Sequence, residues 1–295
     1  MIVALIQELR PKQWTKNLLV FAGILFSRQF GSWELVLRAA AGFLSFSLLA
    51  GVVYIINDVF DAPSDRLHPR KRNRPIAAGR LPVPVAWASL VPLLALSGGL
   101  ACWLGLDFSI IAICYLVLNL VYSFGPKHQV LIDVFVVAIG FVMRAIAGVA
   151  LLLPAAPGIE ISPWLLVCTF FGALFLGLAK RRREITNAGE NAAARRAVLD
   201  HYTPELLDGL LLVSAAASII GYALYTIWPA TVAKFHTEAL LYTVPFVAYG
   251  IFRYLYLVGT SESTEDPSLV LLSDRPLGAC VVLYVISVGI ILYHR

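Results

Sequence analysis

Long runs of apolar residues recur along the whole 295-residue chain and restrict what it can fold into. A run of roughly 17–25 apolar residues has the length that an α-helix needs to cross about 30 Å of hydrocarbon. Hydrophobic residues make up 59% of the chain, only 14% are charged, and the mean hydropathy is +0.80. Because a soluble domain has a far more polar composition, we predict an all-α integral membrane bundle.

Nine of these runs are predicted to be transmembrane helices, and the first is short and contains Gly23. The predicted spans cover residues 16–30, 35–57, 83–104, 108–125, 130–153, 162–180, 205–228, 237–258 and 276–293. We expect the whole chain, residues 1–295, to form a single transmembrane catalytic domain.

Lys and Arg residues are unevenly divided between alternate loops, and this bias predicts orientation. The side that carries most of them is expected to be cytoplasmic, so the protein should be a multi-pass protein of the cytoplasmic (inner) membrane. Two loops on that side, at about 58–82 and 181–204, are longer than simple turns require. Function is therefore expected on the cytoplasmic face. The net charge of +5 is attributed to anionic lipid and substrates, and not to nucleic acid.

Three aspartates, Asp58, Asp61 and Asp65, lie where the second apolar run ends. Their spacing places all three on one face if the helix continues through them. Carboxylates crowded in this way repel one another unless a cation lies between them, and a few carboxylates that leave room for water and phosphate suit Mg²⁺. The alternative is a solvated helix end neutralised by the arginines that follow.

A dense basic stretch follows the aspartates directly, over residues 66–80. Guanidinium and ammonium groups are suited to phosphate oxygens, although some of these residues are expected only to satisfy the charge bias between loops. Arg66, Lys71 and Arg74 are the preferred candidates for substrate contact.

The motif Asn57-Asp58-x-x-Asp61-x-x-x-Asp65, followed by Arg74-Pro75, resembles the first signature of the UbiA superfamily of intramembrane prenyltransferases. The resemblance implies a nine-helix bundle whose cytoplasmic acidic motifs bind Mg²⁺ and a diphosphate. The second signature of that superfamily is usually another acidic pair after the sixth helix. Here residues 180–184 read Lys-Arg-Arg-Arg-Glu, and fixed positive charge of this kind suits a site that holds additional phosphate groups.

This departure resembles the phosphoribosyltransferase branch of the superfamily, and residues 9–17, 65–79, 122–128, 144–148, 265–267 and 272–275 agree with it. The resemblance implies catalytic and metal-ligand roles for the three aspartates. It implies substrate contacts for Lys16, Asn57, Arg66, Lys71, Arg74, Tyr122, Lys127, Arg144, Lys180, Arg181 and Glu184. The usual Tyr-x-x-x-Lys spacing is one residue longer here, from Tyr122 to Lys127.

Arg144 is notable on its own account because it lies inside a predicted span. A cation there is costly unless it faces a polar cavity or a partner, so we predict that Arg144 faces the site. The alternative is a structural pair with an acid from a neighbouring helix, since Asp133 on the same helix is three turns away.

The resemblance implies Mg²⁺-dependent transfer of 5-phosphoribose from phosphoribosyl diphosphate to a polyprenyl (decaprenyl) phosphate. In this interpretation the aspartates hold the metal and diphosphate, and cations such as Lys180 and Arg181 share the same chamber. A second hypothesis is prenyl transfer from a polyprenyl diphosphate to an aromatic or quinone-precursor acceptor. A third is a transporter, or a lipid- or cation-binding protein, with an acidic gate. Self-association into a homo-oligomer is left open.

Overall fold

The computed structural model describes residues 1–27, 31–67, 71–125, 129–156, 162–188, 199, 201–260, 270 and 273–293. These residues are mostly helical, and no strand occurs among them. The chain divides into two compact units. Unit 1 comprises residues 1–126 and 143–160, and unit 2 comprises residues 127–142 and 161–295. The expectation of a single domain stays a prediction.

Unit 1 is built around one helix of 35 residues, α3. Its elements are α1 (Ile2–Glu8), a 3₁₀ helix (Pro11–Phe21), α2 (Ala22–Ser27), α3 (Trp33–Leu67), a 3₁₀ turn (Lys71–Asn73), α4 (Val83–Leu104), α5 (Leu106–Phe124) and the C-terminal part of α6 (Ile132–Ala150). Helix α3 packs against α4 and α5. Phe46, Phe108 and Leu151 are fully buried in the resulting core.

Unit 2 is built around two long helices, Pro163–Ala188 and Pro204–Ile227, which pack along one another. Its elements are the N-terminal part of α6, α7 (Pro163–Ala188), α8 (Pro204–Ile227), α9 (Pro229–Phe235), a 3₁₀ turn (Ala239–Thr243), α10 (Val244–Thr260) and α11 (Arg275–Tyr293). The start of α8 is set by its sequence. The hydroxyl of Thr203 accepts a hydrogen bond from the Leu206 N–H at 3.2 Å, as an N-cap residue does, and Pro204 occupies the first helical position.

Eight helical segments among the described residues are long and apolar enough to cross a membrane. Large apolar side chains such as Val91 (71% exposed) and Leu106 (75% exposed) point outward from them. Such exposure would be unfavourable in water but suits contact with lipid tails. The prediction of an all-α, multi-pass membrane protein is therefore confirmed.

The first predicted span, residues 16–30, is not one of the eight. Its described part is split between the 3₁₀ helix Pro11–Phe21 and the short helix α2. Within the span, the 3₁₀ residues 16–21 rise about 12 Å and the α-helical residues 22–27 about 9 Å along their own axes, so the described part is shorter than the hydrocarbon layer and is not a continuous α-helix. The backbone at Gly23 packs closely against the backbone of α6 at Gly148. A Cβ added at Gly23 would lie 1.9 Å from the Gly148 carbonyl oxygen.

The two long loops begin later in the chain than predicted. Helix α3 continues to Leu67 and α7 continues to Ala188, so Asp58 and Arg181 both lie within helices. Both extensions carry charged side chains that find ion-pair partners, such as Arg181 with Glu184 one turn later, and the helix therefore does not have to end at the first charge. Pro63 lies inside α3 but its side chain is exposed.

Candidate active site

Two of the three predicted metal ligands converge on one arginine in unit 1. Asp58 and Asp65 lie two turns apart on α3 and are 3% and 2% exposed. The Arg74 Nη1 donates to Asp58 Oδ1 at 2.9 Å and to Asp65 Oδ2 at 2.6 Å. Asp61 lies between them in the sequence and is half-buried. The two buried carboxylates thus share one cationic atom.

Arg74 reaches the aspartates because residues 71–81 fold back over the end of α3. Ile76 and Leu81 are fully buried against Val52 and Ile55 of α3. The turn is closed by the Leu81 N–H, which donates to the Pro75 carbonyl at 3.1 Å. Gly79 has a φ of +74°, a conformation that glycine adopts without strain.

Two further cations surround the pair. Arg10 donates to Asp58 Oδ2, and its guanidinium lies 4.7 Å from the centre of the Tyr54 ring. The Lys71 Nζ lies 3.9 Å from Asp65 Oδ1, and its side chain is 40% exposed. Arg10 itself has a φ of +51°, which is uncommon for a residue other than glycine. The carboxylates are therefore held by cations from two separate segments of the chain.

A residue that was not predicted to belong to the site, Glu8, lies at the same place. Its side chain is 1% exposed, and its carboxyl is a hydrogen-bonding neighbour of Asp58. Burial, followed by the adjacent Asp58, raises the pKa of Glu8 to about 8. The sequence offered one signal for it, namely a single acid that interrupts the apolar stretch Met1–Leu9.

The donor set in unit 1 fits a divalent metal ion. Among the described residues, no three His, Cys, Asp or Glu side chains are gathered into a metal site. Mg²⁺, however, commonly takes only one or two protein carboxylates and completes its shell with water and phosphate oxygens. Asp58 and Asp65, which already converge on one cationic atom, satisfy that requirement.

Arg144 lies in a buried polar cluster of unit 1 and is 7% exposed. Its Nε donates to Asn17 Oδ1 and its Nη2 donates to the Tyr115 hydroxyl, both at 2.7 Å. The Asn17 Nδ2 in turn donates to the Ser47 Oγ at 3.0 Å. Neither Asn17 nor Tyr115 was predicted, because the sequence gives no indication of which distant side chain a polar residue will meet.

The other predicted residues of unit 1 differ in burial and in the contacts that the structure shows for them. The Arg66 Nε donates to the Ala77 carbonyl at 3.3 Å, which ties the folded-back segment to α3. Lys16, Asn57 and Tyr122 are half-buried. In unit 2, Lys127 lies outside the described residues.

In unit 2 the predicted cationic run contains a buried ion-pair network centred on Arg181, which is 5% exposed. Its Nε donates to Asp133 Oδ2 and its Nη1 donates to Glu184 Oε2, both at 2.6 Å. The Tyr202 hydroxyl donates to the other oxygen of Asp133 at 2.7 Å and accepts from the Leu131 N–H. Burial and the adjacent Asp133 raise the pKa of Tyr202.

The remaining cations of the run point to different partners. Arg182 pairs with Asp208 at 2.8 Å, and the Arg183 Nη2 donates to the Leu257 carbonyl at 2.6 Å. Lys180 is half-buried. The run is therefore not a uniform cationic surface, since two of its arginines are held by carboxylates of the same unit.

Comparisons with known proteins agree with this fold. Residues 17–273 match the UbiA prenyltransferase family. The chain is 36% identical to the decaprenyl-phosphate phosphoribosyltransferase of Corynebacterium glutamicum, over 98% of this chain and 86% of that relative. It is 33% identical to the protein of the same name from Mycolicibacterium smegmatis, over 99% and 93%.

A solved structure of a UbiA homolog from Archaeoglobus fulgidus, bound to DMAPP and Mg²⁺, is similar with a TM-score of 0.71. That similarity covers 98% of both chains at 21% identity, so it concerns the fold alone. The family match and the two relatives each extend over most of the chain. The chain therefore belongs to the UbiA prenyltransferase family.

Proposed function

We propose that this protein transfers 5-phosphoribose from phosphoribosyl diphosphate to a polyprenyl phosphate, such as decaprenyl phosphate, and releases diphosphate. The observation that carries the proposal is the similarity, at 36% and 33% identity over nearly the whole chain, to relatives named decaprenyl-phosphate phosphoribosyltransferase. The replacement of the second acidic signature by Lys180–Glu184 supports it, because a donor with an extra ring phosphate calls for fixed positive charge.

Asp58, Asp61 and Asp65 would hold Mg²⁺ together with the diphosphate of the donor. The Mg²⁺ bound there would neutralise the charge that develops on the diphosphate leaving group. Arg74, Lys71 and Arg10 already face these carboxylates, so their N–H groups can turn to phosphate oxygens once a metal ion takes over the carboxylates. Such preorganised cations stabilise a leaving anion without large rearrangement.

The acceptor needs little activation by the protein. An oxygen of the lipid phosphate, already ionised near neutral pH, would form the new bond to the anomeric carbon while the bond to the diphosphate breaks. No general base is then required. In unit 1, Lys16, Asn57, Arg66, Tyr122 and Arg144 remain proposed substrate contacts, and Arg144 with Asn17 forms a buried hydrogen-bonded pair suited to a polar group of a substrate.

For unit 2 we propose separate roles within the cationic run. Lys180 would contact the ring phosphate of the donor. Arg181 would position that segment, because two of its N–H donors are used by Asp133 and Glu184. Lys127 and Glu184 remain proposed contacts with the substrate. That the aspartates share one chamber with Lys180 and Arg181 stays a prediction.

We further propose that the site faces the cytoplasm from the inner membrane of a bacterial cell, as the Lys and Arg bias indicates. An Arg80→Cys variant provides a test, since Arg80 is exposed on the folded-back segment. A membrane-impermeant maleimide should label this cysteine in inverted membrane vesicles and not in spheroplasts. The unsubstituted protein, with its own four cysteines, provides the background. Labelling in both preparations would contradict this orientation.

The experiment that tests the reaction uses purified protein with labelled phosphoribosyl diphosphate, a polyprenyl phosphate and Mg²⁺. We expect label in the lipid fraction together with stoichiometric diphosphate. A parallel incubation supplies a polyprenyl diphosphate and an aromatic acceptor, the substrates of the second hypothesis. Product only in that incubation would replace the first reaction by prenyl transfer. Absence of diphosphate release in both would favour a binding or transport role.

A further inference from the structure

Glu8 is the buried acid for which neither the acidic motif nor the proposed reaction gives a reason. Neither of its carboxyl oxygens accepts a hydrogen bond from an N–H or O–H group in the part of the chain that the structure describes. Arg10 and Arg74 are nearby, but they donate their hydrogen bonds to Asp58 and Asp65. Buried polar groups are nearly always hydrogen-bonded, and an exception calls for an explanation such as a missing ion.

The packing of α1 onto α3 directs Glu8 toward Asp58. Leu9, the next residue, lies against α3 at Gly51, where an added Cβ would be 2.4 Å from the Leu9 Cδ2. The Trp14 Nε1 donates to the Leu9 carbonyl at 3.0 Å and fixes the turn after the helix. On the other side of α1, Met1, Ile2, Val3 and Ile6 are exposed. An exposed apolar face of this kind suits contact with lipid at the membrane interface.

When two buried carboxyl groups face one another, the repulsion between their charges makes it unfavourable for both to be ionised. A divalent cation removes this opposition, because it binds several carboxylate oxygens at once. Glu8 and Asp58 come from segments far apart in the sequence, and the tight contact between Leu9 and Gly51 maintains their proximity.

We infer that Glu8 is an additional acidic member of the cation site. As the described residues stand, Glu8, Asp58 and Asp65 are not gathered around one point, and a divalent ion held by Asp58 and Asp65 would draw in the Glu8 carboxylate beside Asp58. This inference rests on the proposed function, in which those aspartates bind the metal and the diphosphate. It adds that the N-terminal helix α1 supplies part of the site. The burial of Glu8, the lack of an N–H or O–H donor to its oxygens among the described residues, and its contact with Asp58 carry it.

Metal binding without turnover tests this inference. The purified protein is titrated with Mn²⁺ at a fixed concentration of inorganic diphosphate, and the apparent Kd is taken from the rise in Tm. We expect Glu8→Gln to weaken Mn²⁺ binding about 10-fold, as loss of a group near a metal commonly does. Glu34→Gln is the matched control because Glu34 is exposed in the first turn of α3, and it should leave the Kd unchanged.

The Tm of the metal-free protein separates this role from a structural one. A merely structural Glu8 would lower that Tm on substitution and leave the Kd for Mn²⁺ as it was, and this result would overturn the inference. If Glu8→Gln does not fold, Glu8→Asp replaces it, since withdrawing the carboxylate by one methylene should also weaken Mn²⁺ binding. An unchanged Kd in that variant would equally overturn it.

The Asp58→Asn variant distinguishes failure of this inference from failure of the proposed function. If Asp58→Asn abolishes the Mn²⁺-dependent rise in Tm while Glu8→Gln behaves like the unsubstituted protein, only the role of Glu8 is wrong. If the unsubstituted protein shows no Mn²⁺-dependent rise, the metal assignment itself fails, and the role of Glu8 fails with it.

Discussion

Two arginines in this protein each lie between two carboxylates, Arg74 in unit 1 and Arg181 in unit 2, yet their surroundings differ. The Arg74 side chain is 26% exposed, and Lys71, also close to Asp65, is 40% exposed. The Arg181 side chain is 6% exposed, and its partner Asp133 is fully buried. One arrangement is partly open to other ligands, and the other is closed.

The exposure of the cationic partners explains the difference, and not the number of occupied oxygens, since both oxygens of Asp58 are also occupied, by Arg74 and Arg10. Both oxygens of Asp133 are occupied, one by Arg181 and the other by the Tyr202 hydroxyl. In unit 1 several cations compete for Asp58 and Asp65, and Glu8 adds a further carboxyl. A closed network holds helices together, whereas an open group of acids and bases can exchange its partners for a metal ion and phosphate. The same local motif therefore serves structure in one unit and is proposed to serve catalysis in the other.

Removal of the buried acid in unit 2 should have the largest effect. Asp133→Asn leaves the Arg181 charge buried without its main partner, so we expect a loss of about 3–5 kcal/mol in the free energy of unfolding. Reversible denaturation in detergent, followed by circular dichroism, measures this quantity. A loss below about 1 kcal/mol would show that the unit 2 network is as exchangeable as the one in unit 1.

Removal of an acid in unit 1 should instead abolish activity and leave the fold intact. For Asp58→Asn we expect turnover to fall about 100-fold or more, equivalent to about 2.7 kcal/mol of transition-state stabilisation. Labelled phosphoribose transfer measures the activity, and the Tm in detergent reports the fold. Asp107→Asn serves as the control because Asp107 is exposed at the start of α5. Near-normal turnover in Asp58→Asn would remove the metal assignment.

Within the cationic run, Lys180 and Arg181 should behave differently. Lys180→Ala should raise the KM for phosphoribosyl diphosphate about 10-fold with little change in kcat, the pattern of a lost binding contact. Arg181→Ala should chiefly lower the Tm, since Asp133 and Glu184 lose their shared partner. Lys234→Ala, at an exposed position on α9, is the control. If only the KM for the lipid rises, Lys180 contacts the lipid phosphate, and the proposed positions of the two substrates are the wrong way round.

The smallest effect on stability is expected at the exposed ion pair between Arg182 and Asp208. Asp208 is 54% exposed where it meets Arg182, and pairs of this kind contribute little. Asp208→Asn should change the free energy of unfolding by less than about 1 kcal/mol in the denaturation assay used for Asp133. A loss as large as that of Asp133→Asn would mean that burial does not distinguish these two ion pairs.

Much of the helical architecture was predictable from the sequence, and the exceptions have physical reasons. Helices α3 and α7 extend beyond their apolar runs, to Leu67 and Ala188, because intrachain ion pairs let charged residues remain helical. The first predicted span failed as a continuous α-helix, since its described part is half 3₁₀ and half α-helical, with a close glycine contact. Hydropathy reports the length of an apolar run and not its helical type.

The candidate site was predictable only in part. The spacing of Asp58 and Asp65 was sufficient to place them on one helical face. Glu8, Asn17 and Asp133 were missed as members of polar clusters, because each is a single polar residue whose partners lie 30 or more positions away. Sequence spacing within one helix carries information about neighbours on that helix, but none about neighbours on another.

The sequence by itself determined that this chain spans a membrane as a set of helices and that acids and bases gather at particular helix ends. Both properties are sums over residues that are neighbours in the sequence. The first is the transfer free energy of an apolar run, and the second is the net charge of the segment beside it. Only the tertiary structure decided which cation meets which carboxylate, as with Arg10 and Arg74 on Asp58 or Arg181 on Asp133. Such pairs join residues far apart in the chain, and packing between helices sets their distance and burial, which together control the energy of an ion pair.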